Sequence, residues 1–240
     1  MSIIKSVHRG CKIFIIAVLL MIAPLPMNSI LPVTVEAQAS SFRMNQSAIW
    51  MNAGKTRKLK VYGAKGKVKW SSSNKEVAKV SSKGIVKAVD AGKAKITAKC
   101  TGLSKSVSCT VRVFSQASVK KKILKLKKKF PEGRYWTNEN NYYFWEATYT
   151  HGYGCYAFVA EVSDLVFGVN APLKRHTSFS KIKAGDHIRI GDYHSVTVIE
   201  KKGNTLIVVE GNYNSSVHWF RKITKSELNY SGFYVDTRYW

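Results

Sequence analysis

The sequence predicts two domains, an all-β sandwich followed by an α+β domain. Residues 44–114 contain short stretches in which apolar residues alternate with lysines, separated by turns rich in Ser, Asn and Gly. Residues 131–240 instead combine one apolar stretch of helical period with several strand-like stretches. A period of two residues is typical of a half-buried strand, whereas a period of 3.6 is typical of a helix. The two halves of the chain therefore differ in fold class.

The positive charge is concentrated in the first half of the mature chain. The chain has a formal net charge of +25, and residues 40–118 hold 17 Lys and Arg against Glu76 and Asp90. Residues 119–130 add 7 Lys, whereas residues 131–240 carry 12 basic and 11 acidic residues. A cationic surface favours anionic wall polymers as partners, although a lysine-rich face can also serve solubility alone. Nucleic acid is not expected as a partner, because no basic stretch interleaved with aromatic residues is visible.

The beginning of the chain has the pattern of a secretory signal. Basic residues (Lys5, Arg9 and Lys12) precede an apolar run over 13–23, and Ala37-Gln38-Ala39 follows. This order predicts a signal peptide over residues 1–39, cleaved after Ala39. The apolar run is short for a membrane span, and no later segment is long enough. We therefore expect a secreted protein, free or associated with the cell wall, with no transmembrane segment in the mature chain.

Strands are expected throughout the first domain, residues 44–114. The candidate segments are Lys67–Trp70, Val77–Val80, Ile85–Val89, Ala94–Cys100 and Ser108–Val113. Lysine on their outer face discourages edge-to-edge pairing between molecules. The pattern predicts a small antiparallel sandwich.

A family resemblance supports this reading of the first domain. The stretches Val68–Asn74, Val77–Val80, Gly84–Val86 and Ala91–Thr97 occur in the order found in group 2 bacterial immunoglobulin-like domains, which this part of the chain resembles. The resemblance implies a spacer or adhesive module of exported proteins rather than a chemistry.

Cys100 and Cys109 flank a turn that contains Gly102. Directly opposite positions in an antiparallel pair can hold a disulfide, and an exported protein permits one. We expect this disulfide, with a pair of buried thiols as the alternative.

The connector, residues 115–130, is rich in lysine. Its apolar members are Ile123, Leu124, Leu126 and Phe130, and Pro131 follows. This pattern predicts a short amphipathic helix that Pro131 ends. We expect its apolar edge to pack against the second domain, residues 131–240, rather than to lie on an anionic surface.

A cysteine at the start of a helix is the main candidate for chemistry. Gly152-Tyr153-Gly154 leads into Cys155, and an apolar stripe continues through Val159, Val162 and Val166 to a stop at Gly168. The first turn of a helix has unpaired N–H groups, which favour a thiolate over a thiol. Two glycines before the cysteine permit a tight turn and the close approach of a substrate.

Two later strands supply the remaining polar groups. One strand begins at His194, and in the next strand Leu206, Val208 and Glu210 share a face that Asn212 joins if the strand continues. A cysteine hydrolase needs a thiolate, an imidazole and a polar group that orients the imidazole. The order Cys155, His194, Glu210 or Asn212 supplies these groups. His151, His176, His187 and His218 are rival candidates for the base.

The second domain also resembles a family of enzymes. Gly154-Cys155, Ala184-Gly185-Asp186, His194–Val198 and Glu210-Gly211-Asn212 resemble motifs of the CHAP amidase/peptidase family, which belongs with the NlpC-like, papain-type cysteine hydrolases. The resemblance implies an α+β papain-like fold with Cys155 as nucleophile and His194 as general base. It also implies that Glu210 orients the imidazole and that Asn212 assists near the reacting carbonyl.

The expected function is hydrolysis of amide bonds, in peptidoglycan or another peptide substrate, without a cofactor or a metal. Two alternatives stay open. One is a non-catalytic wall-binding or adhesion protein with a degenerate papain-like domain. The other is a transpeptidase that passes the same acyl-enzyme to an amine. Asp192-Tyr193 stands where many relatives have a glycine before the histidine, so the rim of the cleft is expected to be bulkier here.

Overall fold

The computed structural model describes residues 41–145 and 150–240. The predicted signal peptide, residues 1–39, lies outside the described residues. Within the described ranges, no helix combines the length and the apolar character needed to cross a membrane.

Nine strands form the N-terminal sandwich. Its main sheet has the order β2-β9-β8-β5, a second sheet has the order β3-β7-β6, and β1 pairs with β4. The strands are β1 (Arg43–Met44), β2 (Ala48–Asn52), β3 (Thr56–Lys58), β4 (Val61–Tyr62), β5 (Val68–Ser72), β6 (Ala78–Val80), β7 (Ile85–Ala88), β8 (Gly92–Cys100) and β9 (Ser106–Phe114).

The alternating pattern of the sequence produces the core of this sandwich. In β8, Ala94, Ile96 and Ala98 are buried, whereas Lys95 and Lys99 between and after them are exposed. The five predicted strands are confirmed as β5 to β9. The four strands before them were not predicted, and one detail of the prediction was wrong: β2 and β9 pair in parallel.

The expected disulfide is also wrong. Cys100 and Cys109 are free, buried thiols. In the β8–β9 ladder Cys109 lies opposite Ile96, four residues before Cys100. Four residues of a strand span about 13 Å, whereas the Cα atoms of a disulfide lie within about 7 Å.

A helix, α1 (Gln116–Lys125), connects the sandwich to the C-terminal region, residues 131–240, and a 3-10 turn (Leu126–Lys128) extends it. Ser115 caps the start of the helix, and its hydroxyl accepts the N–H of Ser118 in a capping box. Its buried residues, Val119 and Ile123, lie in a core cluster with residues of the C-terminal region. The predicted packing of this segment is confirmed, although the helix begins and ends earlier than the lysine run suggested.

The C-terminal region contains one long helix against an antiparallel sheet of order β12-β17-β13-β14-β15-β16, beside a hairpin of β10 and β11. Helix α2 packs against β14, β15 and the hairpin. The elements are β10 (Asn141–Trp145), β11 (Thr150–Tyr153), α2 (Gly154–Phe167), β12 (Lys174–His176), a 3-10 turn (Phe179–Lys181), β13 (His187–Ile190), β14 (His194–Lys202), β15 (Thr205–Tyr213), β16 (Ser216–Thr224), α3 (Lys225–Ser231) and β17 (Phe233–Thr237).

The two halves share a hydrophobic core. The indole of Trp50 in β2 donates its N–H to the carbonyl of Phe167 at the end of α2, with an N···O distance of 3.1 Å. The rings of Phe114 and Phe167 meet edge to face with centroids 5.1 Å apart, and Tyr239 packs against both. The described residues accordingly form one compact unit. The division into separate domains stays a prediction.

Candidate active site

Cys155 is the second residue of α2, as the sequence predicted. Tyr153 caps the helix without a side-chain hydrogen bond, so no side chain of the cap occupies the N–H groups of the first turn. Gly154 has φ = +54°, and a Cβ there would lie 2.3 Å from the Oδ1 atom of Asn138. Two features therefore favour glycine at this position: the positive φ, and the close approach of the Asn138 side chain.

His194 and Glu210 meet at the ends of adjacent strands. The Nε2 atom of His194 lies 2.7 Å from the Oε2 atom of Glu210, whose side chain is completely buried. Arg221 of β16 binds the same carboxylate with two nitrogens: Nε donates to Oε1, and Nη2 donates to Oε2 at 2.7 Å. Because Nε2 is occupied by the carboxylate, Nδ1 is the ring nitrogen left to face the thiol.

The pKa shifts of the three groups indicate an ion pair. Burial would raise the pKa of the Cys155 thiol, but hydrogen bonding and charge from His194, the Ser195 backbone and the charge of Arg189 lower it below its usual value. Burial would lower the pKa of His194, yet Cys155 and Glu210 raise it to about 9. Burial would likewise raise the pKa of Glu210, and His194 and Arg221 lower it. A thiolate beside an imidazolium is the state that these shifts favour.

Asn212 lies beside the start of α2 rather than on the imidazole. It has φ = +58° at the end of β15. Its Nδ2 atom donates to the Oδ1 atom of Asn138 at 2.7 Å, and both amides border Gly154. The structure thus brings all four predicted site residues to one place, with Glu210, not Asn212, as the partner of His194. A role for Asn212 near the reacting carbonyl stays a prediction.

Arg189 is a site residue that sequence reasoning missed. Its Nη1 atom lies 3.9 Å from the sulfur of Cys155 and 3.2 Å from the hydroxyl oxygen of Ser195. Its Nη2 atom donates to the carbonyl of Asp192. Arg189 pairs with Ser195 across β13 and β14, one residue from His194. A charged residue within the apolar strand His187–Ile190 was the signal that could have found it.

Two hollows flank the site. The first has a volume of about 480 Å³ and is lined by Cys155, Arg189, Asn138, His151 and several tyrosines. The second has a volume of about 360 Å³ and is bordered by His194 and Arg221. Tyr193 lines both, is 68% exposed and donates its hydroxyl to Ser231. The bulky residue that stands directly before His194 in the sequence therefore borders both hollows.

Three of the four rival histidines are placed less well for a base. Burial lowers the pKa of His187 to about 3. Burial also lowers the pKa of His176, and His218 pairs with Glu132 at 3.0 Å. His151 borders the first hollow. Among residues 41–145 and 150–240, no three His, Cys, Asp or Glu side chains are grouped as metal ligands.

Comparison with known proteins gives a family match for part of the first half of the chain. Residues 38–122 match the bacterial Ig-like domain (group 2), which confirms the resemblance seen in the strands of the sandwich. No curated protein matches the chain.

Several solved structures resemble parts of the chain. Domains 4 and 5 of the S-layer protein SbsC share 23% identity over 31% of this chain and 51% of theirs, with a TM-score of 0.26. A bacterial Ig-like domain containing GH10 xylanase from termite gut shares 23% identity over 38% of this chain and 25% of its own, with a TM-score of 0.24. An intimin mutant of EHEC O157:H7 shares 13% identity over 75% of this chain and 82% of its own, with a TM-score of 0.26. The chain thus spans about half of the SbsC fragment and a quarter of the xylanase.

Proposed function

We propose that the chain is an exported cysteine amidase or peptidase that hydrolyses amide bonds, with peptidoglycan as the substrate. The observation that carries the proposal is the set formed by Cys155, His194 and the buried Glu210. A buried carboxylate that fixes an imidazole beside a helix-start thiol is the arrangement that thiol hydrolases use. The residues also follow the order of the CHAP family motifs that the C-terminal region resembles.

The chemistry follows from the positions of these groups. The Cys155 thiolate attacks the carbonyl carbon of the scissile amide, and the carbonyl oxygen becomes an oxyanion. N–H groups of the first turn of α2 and the guanidinium of Arg189 face this region and stabilise the negative charge. The imidazolium of His194 gives its proton to the departing amine, and the C–N bond breaks. Water then attacks the thioester with His194 as base, which releases the acid and restores the thiol.

Peptidoglycan is proposed because several independent features agree with it. The sequence begins with the pattern of an exported protein, and the group 2 Ig-like domain is a module that can hold a catalytic region at a surface. Residues 40–118 bring a dense positive charge, which favours attachment to an anionic wall. The hollows beside Tyr193, of about 480 and 360 Å³, are the proposed places for the substrate.

A digest of purified peptidoglycan tests this proposal. Wild type is expected to release muropeptides with newly formed carboxyl and amino ends, which mass spectrometry identifies. Cys155→Ala is expected to release none, and Cys109→Ala serves as the matched control because it removes a buried thiol far from the site. Equal release by wild type and Cys155→Ala would refute the proposal.

Two other outcomes would point to the alternative functions. If an added amine enters the products in place of water, the site is a transpeptidase. If wild type and Cys155→Ala both bind the wall and neither cuts it, the protein is a wall-binding or adhesion protein.

A further inference from the structure

A second cleft lies at the other end of α2. It has a volume of about 520 Å³ and is lined on one side by Lys93 and Arg112 of the sandwich and on the other by Lys122 of α1 and residues 164–168. Helix α2 is 14 residues long, so at 1.5 Å per residue the cleft lies on the order of 20 Å from Cys155. It is therefore separate from the candidate active site.

Positive charge is concentrated in this cleft. Lys93 and Arg112 lie opposite each other in the β8–β9 ladder. The Nε atom of Arg112 is buried and has no hydrogen-bond partner within the described ranges. Its guanidinium instead stacks over the ring of Trp50 at 5.8 Å. Burial lowers the pKa of Lys122, and the charge of Arg112 lowers it further. Two cations that repel each other in a half-enclosed cleft favour an anion between them.

The negative groups of the cleft are matched by other partners. Asp164 binds Arg238 at 3.0 Å and the hydroxyl of Tyr142 at 3.1 Å. The carbonyls at the end of α2 are also occupied: Lys122 donates to Val166 at 3.0 Å, and Trp50 donates to Phe167. The charge of Arg112 is thus left without a described carboxylate at ion-pair distance.

We propose that this cleft binds an anion of the phosphate class, with Arg112 as the main ligand and Lys93 and Lys122 beside it. A phosphate group has several acceptor oxygens, and a guanidinium can bind two of them at once. The anion can be free inorganic phosphate or a phosphodiester of an anionic polymer. The inference does not depend on the proposed hydrolase, because none of its residues belongs to the Cys155 site.

Titration calorimetry with the full mature chain tests the proposal. The two probes are inorganic phosphate and a short poly(glycerol phosphate), each at constant ionic strength. Arg112→Gln is expected to raise the dissociation constant about tenfold, the usual effect of losing one charge-assisted hydrogen bond. Lys93→Gln, at an exposed position that the fold does not need, is expected to raise it about threefold. Lys79→Gln removes the same charge from the other sheet and is the control.

The outcomes separate the sources of the anion and can overturn the site. Tight binding of both probes with loss in Arg112→Gln supports a general phosphate site, and binding of the polymer alone with the same loss supports a phosphodiester site. An absence of binding by both probes overturns the proposal. Equal weakening by Arg112→Gln and Lys79→Gln also overturns it, since binding would then reflect the overall charge. Lys93→Gln gives the same decision if Arg112→Gln does not fold.

Discussion

Two of the three buried thiols among the described residues, Cys109 and Cys155, differ in their chemistry. Cys109 lies in the core of the sandwich among apolar side chains, and burial raises the pKa of its thiol to about 11. Cys155 is also buried, 7% exposed, yet its pKa is lowered. The difference lies in the neighbours, since His194, the Ser195 backbone and Arg189 face Cys155. Burial alone disfavours the thiolate, whereas burial beside cationic and N–H groups favours it.

Removal of each thiol in turn should give the largest difference in hydrolysis between the two positions. Cys155→Ala is expected to lower hydrolysis by about 10⁴-fold or more, because the nucleophile of the reaction is lost. Cys109→Ala should leave hydrolysis within about twofold and lower the free energy of unfolding by about 1–2 kcal/mol through a small cavity. Release of muropeptides and urea unfolding measure the two effects. A large activity loss in Cys109→Ala would contradict the assignment.

Substitution of Glu210, the carboxylate that binds the imidazole of His194, should have the next largest effect on hydrolysis. Glu210→Gln is expected to lower hydrolysis by about 10²–10⁴-fold, because His194 loses the group that fixes and charges its ring. The same change leaves Arg221 without its charge partner and should lower the free energy of unfolding by about 2–3 kcal/mol. Glu76→Gln, at an exposed carboxylate of the sandwich, is the control and should change hydrolysis little. Loss of stability with unchanged hydrolysis would make Glu210 purely structural.

Arg189 should have a smaller effect on the same thiol. Arg189→Gln is expected to slow alkylation of Cys155 near neutral pH by about threefold to tenfold, since one of several stabilising charges is lost. The rate for Cys109 should not change. Arg189→Lys should restore part of the rate, because the charge returns without the planar group. An unchanged rate in Arg189→Gln would remove this residue from the site.

The smallest expected effect of the ion pair between Cys155 and His194 is on the pH dependence of the free energy of unfolding. The pKa of His194 is raised from 6.5 to about 9, so its contribution is complete below pH 6.5 and is lost as the pH rises through 9. The pKa of Cys155 is lowered from 9.0, so its contribution is present above that value and is lost as the pH falls. The two slopes oppose each other between pH 6.5 and 9, because the proton that leaves the thiol is held by the ring.

This cancellation can be measured. The free energy of unfolding of wild type should change little between pH 6.5 and 9. In Cys155→Ala the opposing thiol is gone and only Glu210 still raises the pKa of His194, so that pKa should lie below 9. Stability should then fall as the pH rises through this lower pKa, with no opposing rise from the thiol. Urea unfolding at three pH values gives both slopes. A wild-type slope equal to that of Cys155→Ala would contradict the ion pair.

Much of the site was predictable because its signals are local. Glycines before Cys155 and the apolar stripe to Val166 define α2, and the alternation in β15 places Glu210 and Val208 on one face. The role of His194 depends on its contact with Glu210, which is 16 residues later in the sequence. This contact could be predicted because the two residues lie on neighbouring antiparallel strands. Arg189 was missed because its contact with the thiol crosses from the sheet to the helix, and no sequence spacing encodes such a distance.

The limits of prediction are clearest in the sandwich. Cys100 and Cys109 are placed symmetrically about a turn in the sequence. In the β8–β9 ladder, however, Cys109 lies opposite Ile96 rather than Cys100, so the disulfide inferred from the spacing was wrong. The strand Ala48–Asn52 was missed because its residues do not alternate, and it pairs in parallel with β9. The shared core around Trp50 and Phe167 joins residues more than 100 positions apart. Packing between distant segments, rather than local pattern, decides these features.

Alkylation of the folded chain near pH 7, resolved cysteine by cysteine with mass spectrometry, is the most direct test of the central claim. With a pKa of about 11, Cys109 holds roughly one thiolate in 10⁴ molecules at this pH. We expect iodoacetamide to label Cys155 at least about 100-fold faster than Cys109, and His194→Gln to remove most of that advantage. A rate for Cys155 as slow as that for Cys109, or one unchanged in His194→Gln, would contradict the account.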